Sequence, residues 1–343
     1  MKAAILGATG LVGQRFIQLL NDHEWFEISA LTGSERSEGS QYGKAVNWRI
    51  ETPLKREIAE LTVQPTDPKK VDADIVFSAL PAEEALKTEE DFASEGFAVV
   101  SNASAHRMDS DVPLMNPEAN FNHLSIIDEQ RRKRKWDGAL VTNPNCTTAV
   151  LTLPLKPILT QFGLRSVVMS SMQAASGAGY PGVASLDMID NIIPFIKGEE
   201  EKVQAETQKI LGDPGRSAGF KVSASCHRVA VIEGHTEAVF VETEKPSSPE
   251  EVAQSMEEFT AEPQKRKLPS APAHPVVVRN EQDRPQPRFD RGEGNGMSVV
   301  VGRIRSDPVF SGVKYVALGS NTIRGAAGCA VLIAESMKSL GYL

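Results

Sequence analysis

Cys146 stands at the start of an apolar segment, in the run TNPNCTTAVLTLPL, where two asparagines and a proline precede it. A cysteine at a helix start is close to unpaired backbone N–H groups and to the positive end of the helix dipole, which lower the thiol pKa. The same N–H groups can stabilise an oxyanion on a carbon bonded to the sulfur. The alternative is a buried structural cysteine, a description that suits Cys226 and Cys329. The local pattern therefore predicts that Cys146 is a nucleophile that forms a covalent intermediate.

Three glycines form the motif GATGLVG, which spans residues 7–13 between an apolar strand and a helix. This spacing lets the backbone turn tightly and brings the first N–H groups of the helix against a pyrophosphate. The alternative is a strand-to-helix turn that holds no ligand. Because the glycines lie within a strand–turn–helix unit, they predict a dinucleotide site. The residues predicted to bind the cofactor at this turn are Gly7, Thr9, Gly10, Leu11 and Val12.

The end of the second predicted strand bears on the choice between NAD and NADP. An NAD enzyme usually carries an acidic residue there, which binds the ribose hydroxyls, whereas this chain has TGSERSEG. Ser34, Arg36 and Ser37 are suited to a 2′-phosphate, since arginine offers a planar charged donor. Glu35 argues the other way, and an Arg36 that only points into water is the alternative. The pattern favours NADP as the cofactor.

Short apolar runs alternate with helical patterns through the first half of the chain, as in a parallel sheet with helices on both faces. The predicted strands are Lys2–Leu6, 26–31, 73–80, 97–101 and 140–142, with a helix over Leu11–Leu20. We therefore predict an α/β fold whose first domain is a Rossmann-type doubly wound parallel sheet.

The pattern changes beyond Cys146. A helix is predicted over 147–159, followed by strands rich in β-branched residues at 166–172, 221–225, 236–242, 297–303 and 315–318. This favours a mixed sheet in a second, α+β domain. The proline-rich stretch 265–288 is interpreted as a long surface connection, and 324–340 as a helix that returns to the first domain. The predicted domains are residues 1–145 with 320–343, and residues 146–319.

Composition narrows the class of protein. Lys and Arg number 37 against 45 Asp and Glu, and the net charge of −8 disfavours a nucleic-acid partner. We interpret the basic run RRKRK at 131–135 as a solvated turn or helix end rather than a nucleic-acid patch. The three cysteines have no CxxC spacing, so neither a disulfide nor a metal site is predicted. No window holds the roughly 20 apolar residues of a membrane span, and we expect a cytoplasmic enzyme with no membrane partner.

Seven motifs together resemble one family over nearly the whole chain. GATGLVG, SNASAHR, NPNCTTA, QAASGAGYPG, EEEKVQAETQKIL, CHRVAVIEGH and NTIRGAA occur in the order seen in aspartate-semialdehyde dehydrogenases, and DRPQPRFDR and GMSVVVGRIR resemble their archaeal and fungal branch. The resemblance implies NADPH-dependent reductive dephosphorylation of L-4-aspartyl phosphate to L-aspartate 4-semialdehyde and phosphate, a step towards lysine, threonine and methionine. It also implies that the second domain serves catalysis and dimerisation, in a homodimer or homotetramer.

Roles for individual residues follow from the same resemblance. Cys146 is the nucleophile that forms a thioester, and His235 is the acid/base. Gln173 orients the acyl group. The implied substrate-binding residues are Arg228 for the carboxylate, Glu199 for the amino group, Arg107 and Lys202 for the phosphate, and Asn145. Further implied cofactor contacts are Ser78, Ala79, Leu80, Asn102, Ser176, Gly177, Asn321 and Thr322.

Two points stay open at the level of sequence. Arg228 and His235 are separated by an odd number of positions, so one regular strand would point them to opposite faces; a bend or bulge at Gly234 would bring them together. His227 competes with His235 as the acid/base on local grounds.

The alternatives to this activity are a malonyl-CoA or succinyl-CoA reductase, an N-acetylglutamyl-phosphate reductase and a non-enzymatic NADP-sensing regulator. The reductases of CoA thioesters keep the cysteine and the histidine. An N-acetylglutamyl-phosphate reductase has no need of Glu199 for a free ammonium group, and a regulator has no need of a nucleophile at a helix start. The NPNC context with Arg107, Glu199 and Lys202 favours aspartyl phosphate.

Overall fold

The computed structural model describes all residues, 1–343, and its first part is a six-stranded parallel sheet. The strands are β1 (Lys2–Leu6), β2 (Glu27–Thr32), β3 (Val63–Gln64), β4 (Ile75–Ser78), β5 (Ala98–Ser101) and β6 (Ala139–Thr142). Their order, β3-β2-β1-β4-β5-β6, is that of a Rossmann fold. The central strands are apolar on both faces because helices cover both sides. The predicted doubly wound sheet is confirmed.

Helices connect these strands. They are α1 (Leu11–Leu20), α2 (Tyr42–Ala45), α3 (Arg56–Ala59), α4 (Ala82–Ser94), α5 (Pro117–Asn120) and α6 (Ile126–Arg134). The basic run forms the last turn of α6, which ends at Lys135 in a left-handed conformation. Its Arg134 pairs with Glu90, Asp109 and Asp111. The run is a helix end, as predicted, and one of its arginines is tied to the protein's own carboxylates.

The second sheet has seven strands and mixes parallel with antiparallel pairs, as predicted. The strands are β7 (Ser166–Gln173), β8 (Ile192–Ile193), β9 (Lys221–Val229), β10 (His235–Glu242), β11 (Val276–Arg279), β12 (Val299–Ser306) and β13 (Gly312–Gly319). Their order is β11-β12-β13-β10-β7-β9-β8. The prediction of a continuous surface connection over 265–288 is wrong, because β11 lies inside it and pairs in parallel with β12.

The remaining helices belong to the second half of the chain. They are α7 (Cys146–Phe162), α8 (Ser185–Met188), α9 (Glu199–Ile210), α10 (Pro249–Glu257), α11 (Glu262–Lys265), α12 (Pro287–Asp290) and α13 (Gly328–Ser339). Helix α7 covers one face of the second sheet, where Leu151 and Ile158 join a core with Val239 and Tyr315. Along β7 and β10 buried residues alternate with partly exposed ones. The opposite face of this sheet is therefore open.

The chain returns to the first sheet after β13. An irregular π-helical turn, Ile323–Ala327, precedes α13, so the regular helix begins later than the predicted residue 324. Ile333 and Met337 of α13 share a core with Ile5 and Phe16. Boundaries at 145/146 and 319/320 stay predictions. None of the helices has both the length and the hydropathy of a membrane-spanning segment.

Candidate active site

Asn145 caps the helix that begins at Cys146. Its side-chain oxygen accepts hydrogen bonds from the backbone N–H groups of Thr147, at 2.9 Å, and Thr148, at 3.3 Å. Asparagine is among the best N-cap residues because this bond satisfies donors that have no partner within the helix. The cap fixes the first turn of α7, and with it the position of the Cys146 sulfur.

Three neighbouring strand ends carry the other central side chains. Gln173 of β7 is paired with Arg228 of β9, and on the other side of β7, Met172 is paired with Thr236, the residue after His235. Arg228, Gln173 and His235 therefore lie side by side on the face that α7 covers. The chain bends before His235, as predicted, but it does so as a turn between two strands: β9 ends before the turn, and β10 lies beyond β7 in the sheet. Gly234 closes this turn with a φ of 101°.

His235 contacts the sulfur of Cys146. Its Nε2 lies 3.2 Å from Sγ, and the backbone N–H of Ala174 donates to Nδ1 at 3.1 Å. Because Nδ1 is an acceptor, the neutral ring carries its proton on Nε2, facing the sulfur. His227 is turned to the open face and lies 3.1 Å from the carbonyl oxygen of Ser171. The structure brings His235, and not His227, to the cysteine.

Burial has the largest effect on the pKa values of Cys146 and His235. Desolvation raises the pKa of the Cys146 thiol to about 12, and Glu199 acts in the same direction. Arg107, Arg228 and the backbone N–H of Thr147 lower the thiol pKa, but by less than desolvation raises it. The helix-start effect expected from the sequence is present, yet the prediction of a lowered thiol pKa is wrong for the free enzyme. Desolvation, with help from Arg228, lowers the pKa of His235 to about 3.

Arg228 is held beside the histidine. It is 5% exposed, and its Nη1 donates to the carbonyl oxygen of Ala174 at 2.7 Å. A Cβ atom at Gly177 would lie 2.7 Å from this Nη1 and 2.9 Å from Cε1 of His235. Gly177, predicted as a cofactor contact, is thus also the place where backbone passes directly over the arginine and the histidine.

Glu199 holds other residues of the site together. Its carboxylate accepts hydrogen bonds from Asn145 Nδ2 at 2.9 Å, Gln173 Nε2 at 3.0 Å and Thr147 Oγ1 at 3.2 Å. The sequence predicts that Glu199 faces a substrate amino group. The structure places it in the site, where it links the cap of α7 to the end of β7, a role that the sequence did not indicate.

Arg107 lies on the other side of Asn145 and is 7% exposed. Its Nη1 donates to Glu206 Oε1 at 3.0 Å and its Nη2 to the carbonyl oxygen of Asn102 at 2.8 Å, while its buried Nε has no partner. Lys202 is half-buried on α9, one turn before Glu206. Arg107 therefore uses two of its five N–H groups within the protein and keeps three, including that of Nε, for an anion.

The glycine turn has the geometry of a dinucleotide site. Gly7 has a φ of 73°, and a Cβ there would lie 2.8 Å from the carbonyl oxygen of Ala79. A Cβ at Gly10 would meet only the carbonyl oxygen of Gly7, at 3.5 Å, so the space above it is open. The first N–H groups of α1, beginning at Leu11, face this space without helical acceptors. These residues fit a pyrophosphate.

Some of the predicted cofactor residues around the turn are exposed to solvent, and others are buried or hydrogen-bonded within the protein. Ser34 and Arg36 are exposed at the end of β2. Ser37 is buried and its hydroxyl donates to the carbonyl oxygen of Ser34 at 2.8 Å; its contact with a 2′-phosphate stays a prediction. Ser78 is fully buried at the end of β4, and Ala79 and Leu80, which follow it, are the residues nearest to Gly7 of the turn. Asn102 is half-buried and accepts from Asn143.

The predicted cofactor residues of the return segment form a network with the turn before β10. Asn321 accepts from the backbone N–H of Gly234 at 2.9 Å and donates to Ser176 Oγ at 2.8 Å. Thr322 donates to Glu233 at 2.5 Å, and Glu233 also lies 3.7 Å from Arg15 of α1. Side chains predicted to contact the cofactor therefore also fix the turn that carries His235.

Three contributors were missed from the sequence. Glu206 carries a signal, since it lies one helical turn beyond Lys202 and two beyond Glu199. A Cβ at Gly325 would lie 2.6 Å from the Cβ of Cys146, so the glycine of NTIRGAA is needed for close packing on the nucleophile. The backbone N–H of Ala174 has no signal, because every residue except proline carries one.

Two family models cover most of the chain. Residues 2–127 match the semialdehyde dehydrogenase NAD binding domain, and residues 155–324 match the semialdehyde dehydrogenase dimerisation domain. The chain is 54% identical to an aspartate-semialdehyde dehydrogenase of Archaeoglobus fulgidus, over 97% of this chain and 96% of the relative. It is 44% identical to a malonyl CoA reductase (NADP) of Metallosphaera sedula, over 100% of this chain and 98% of the relative.

A solved structure agrees with these relatives. The crystal structure of aspartate semialdehyde dehydrogenase with NADP from Candida albicans is 40% identical, with a TM-score of 0.92 over 100% of this chain and 99% of that one. Identity at this level over full length, together with a cysteine and a histidine in contact beside a Rossmann glycine turn, establishes the family. This chain belongs to the aspartate-semialdehyde dehydrogenase family.

Proposed function

We propose that this protein catalyses the NADPH-dependent reductive dephosphorylation of L-4-aspartyl phosphate to L-aspartate 4-semialdehyde. The observation that carries the proposal is the contact of 3.2 Å between Cys146 Sγ and His235 Nε2, with the buried guanidinium groups of Arg107 and Arg228 both close enough to affect the thiol. A nucleophile near two separate cationic groups suits an acyl phosphate that bears a carboxylate at its other end.

The first step forms the thioester. Cys146 loses its thiol proton as its sulfur attacks the acyl carbon, the carbon–oxygen bond to phosphate breaks, and the phosphate leaves with the electron pair and takes up that proton. The free N–H groups of Arg107, with Lys202 of α9, would bind this phosphate group. Arg228 would bind the substrate carboxylate, while Glu199 would accept its ammonium group and Gln173 would orient its acyl group. Asn145 keeps the nucleophile in place through the helix cap.

The second step is reduction. NADPH supplies the hydride when it is bound, and the residues that would hold it are those of the glycine turn and the end of β2, with Arg36 for the 2′-phosphate. The oxyanion that forms beside the sulfur would accept a hydrogen bond from the backbone N–H of Cys146, because Asn145 already accepts from those of Thr147 and Thr148. The Nε2–H group of His235 would donate a hydrogen bond to this oxygen. The oxyanion then collapses to the aldehyde, the carbon–sulfur bond breaks, and the sulfur leaves with the electron pair and takes up a proton, which restores the thiol.

A second copy of the chain is expected on the open face of the second sheet. Val168, Met172, Phe240 and Val316 are partly exposed on this face, in the part of the chain that matches a dimerisation domain. An apolar sheet face is usually covered in the native state. We infer a homodimer or, through pairing of dimers, a homotetramer. The three free thiols are consistent with the cytoplasm as the location.

One set of assays tests the activity. Purified protein with L-aspartate 4-semialdehyde and phosphate should reduce NADP in a phosphate-dependent manner, and more efficiently than NAD. Cys146→Ser should lower the rate by about a thousandfold or more, because the covalent step is lost, while Cys226→Ser, the same change at a buried cysteine of β9, should not. Arg36→Ala should raise KM for NADP more than for NAD.

The same assays separate the alternative activity. A malonyl-CoA reductase would oxidise malonate semialdehyde with CoA and would ignore phosphate; the relative from Metallosphaera sedula makes this the second candidate. Turnover that depends on CoA and not on phosphate would overturn the proposal. Near-normal phosphate-dependent turnover by the Cys146→Ser variant would overturn the covalent step alone.

A further inference from the structure

Four charged residues form a stripe along α9. Glu199, Lys202, Glu206 and Lys209 are spaced by three, four and three positions, which places them on one face of the helix. The residues that Glu199 and Glu206 contact are Asn145, Thr147, Gln173 and Arg107. The stripe therefore follows the start of α7 and then the irregular segment 102–112, which carries Arg107.

Lys209 donates all of its side-chain hydrogen bonds to backbone oxygens of that segment. Its Nζ donates to the carbonyl oxygens of Arg107 at 2.7 Å, Asp109 at 2.7 Å and Val112 at 2.9 Å. An ammonium group has three protons, so all of them are used. Segment 107–112 contains no regular helix or strand, and this one side chain closes its turn from inside.

Glu206 fixes the other end of the arginine. It is 2% exposed; Oε1 accepts from Arg107 Nη1 at 3.0 Å and Oε2 accepts from the backbone N–H of Asn145 at 2.6 Å. One carboxylate thus joins the guanidinium of Arg107 to the cap of the nucleophile helix. With the backbone held by Lys209 and the guanidinium held by Glu206, only the Nε of Arg107 remains without a partner.

We propose that Lys209 and Glu206 are positioning residues that hold Arg107 with its free N–H groups ready for the phosphate of the substrate. The proposal rests on the phosphate-binding role of Arg107 in the proposed function. An arginine side chain has many rotamers, and fixing one of them before binding reduces the entropy lost on binding. Neither residue reaches the reacting atoms, so both act through Arg107.

The burial of Lys209 supports this role. Desolvation lowers the pKa of its ammonium group to about 8, although Asp109, Asp111 and Glu206 act in the opposite direction. A buried cation that costs this much desolvation is kept only where it makes strong hydrogen bonds. Here all of those bonds go to the loop that presents Arg107.

The test is Lys209→Met, which keeps the length of the side chain and removes its donors. In the phosphate-dependent oxidation of L-aspartate 4-semialdehyde, KM for phosphate should rise by about tenfold, as expected for loss of charged hydrogen bonds. KM for the semialdehyde and the rate of Cys146 alkylation by iodoacetamide should stay within about twofold. Lys156→Met is the matched control, because Lys156 is another half-buried lysine whose pKa is lowered by desolvation. Its ammonium group donates to no backbone carbonyl oxygen, so this change should leave KM for phosphate unchanged.

Further variants show whether a negative result contradicts the positioning role or the proposed function. Lys209→Arg, which restores the charge and several donors, should recover part of the affinity for phosphate. Glu206→Asp draws the carboxylate back from Arg107 and should also raise KM for phosphate, which gives a reading even where the Lys209→Met protein does not fold. An unchanged KM for phosphate in Arg107→Lys would contradict the proposed function. A raised KM in Arg107→Lys with an unchanged KM in both Lys209→Met and Glu206→Asp would overturn the positioning role alone.

Discussion

The cysteine and histidine at the centre of the site are both held in their uncharged forms in the free enzyme. Burial raises the thiol pKa to about 12 and lowers the imidazole pKa to about 3. The Ala174 N–H group adds to this effect, because a protonated ring would place a second N–H group against it. The thiolate therefore forms when the substrate is attacked, with the Nε2 proton of His235 placed to stabilise it.

A pH dependence follows for Cys146 in the absence of substrate. The imidazole stays neutral above about pH 5, since its pKa is lowered to about 3, and the thiolate fraction rises as the pH approaches a thiol pKa raised to about 12. The rate of inactivation by iodoacetamide should thus increase about tenfold for each pH unit between pH 6 and 9. Cys146→Ser is the control for reaction elsewhere. A rate that levels off near pH 6–7 would indicate a preformed thiolate–imidazolium pair instead.

Local sequence identified only some of these residues. Cys146 and the glycine turn could be predicted because each depends on one continuous stretch of chain. The contact of His235 with Cys146 depends on the register of β7 against both of its neighbours, which no local pattern specifies. Resemblance to a family supplied those residues, but not Glu206 or the Ala174 N–H group, which act through other residues.

At the scale of single elements, β10 contains a carboxyl group with no partner. Glu237 is fully buried two residues after His235, and neither of its oxygens makes a hydrogen bond. Its neighbours in the sheet are Ser171 and Ala317, and the buried hydroxyl of Tyr315 also lacks a partner. Desolvation, with the nearby charge of Glu199, raises the pKa of Glu237 well above its ordinary value. This side chain is a neutral carboxylic acid in the folded protein.

Glu237→Gln should therefore stabilise the protein, increasingly so at higher pH. Below about pH 4.5 the carboxyl group is protonated in both states; above it the unfolded chain ionises and the folded one does not, so folding loses about 1.4 kcal/mol per pH unit. Glutamine cannot ionise, so its advantage in Tm should grow from pH 5 to pH 8. The exposed Glu95→Gln serves as the control. An advantage that does not change with pH would show that Glu237 is ionised in the folded state.

The long, strongly patterned elements were predictable and the short ones were not. Strand β1 and helix α1 match their predicted bounds, and β7 and β10 each extend only one residue beyond theirs. Strand β11 was missed because four residues between prolines form a strand only through pairing with β12. The start of α13 was misplaced because a π-helical turn has the same composition as a helix.

At the scale of the whole molecule, the open face of the second sheet is the surface that we expect a second copy of the chain to cover. Ala238 lies near its middle, paired with Ser170 on one side and Val316 on the other. A charge at this position would have to be buried under a second copy, which costs several kcal/mol. Ala238→Glu should therefore shift the mass measured by light scattering from dimer towards monomer. Leu86→Glu, at a residue that is 56% exposed on α4, should leave the mass unchanged; an unchanged mass for both would place the dimer contact elsewhere.

The return of the chain to its first sheet also joins distant parts of the molecule. Arg324 and Glu118 are both fully buried, and the guanidinium donates to both carboxylate oxygens, at 2.6 and 2.8 Å. Removal of one partner from such a pair leaves an uncompensated buried charge. The pair ties the segment before α13 to α5, between the two sheets.

This return has a consequence for biosynthesis on the ribosome. The six strands of the first sheet have all been translated by Thr142, but the helix that completes their core begins only at Gly328. Until then the nascent polypeptide exposes the apolar surface around Ile5 and Phe16, which is a binding site for chaperones and a risk for aggregation. The cofactor half of the enzyme is thus the first to be translated and the last to be finished, and a ribosome that stalls between the two sheets leaves a fragment without a closed core.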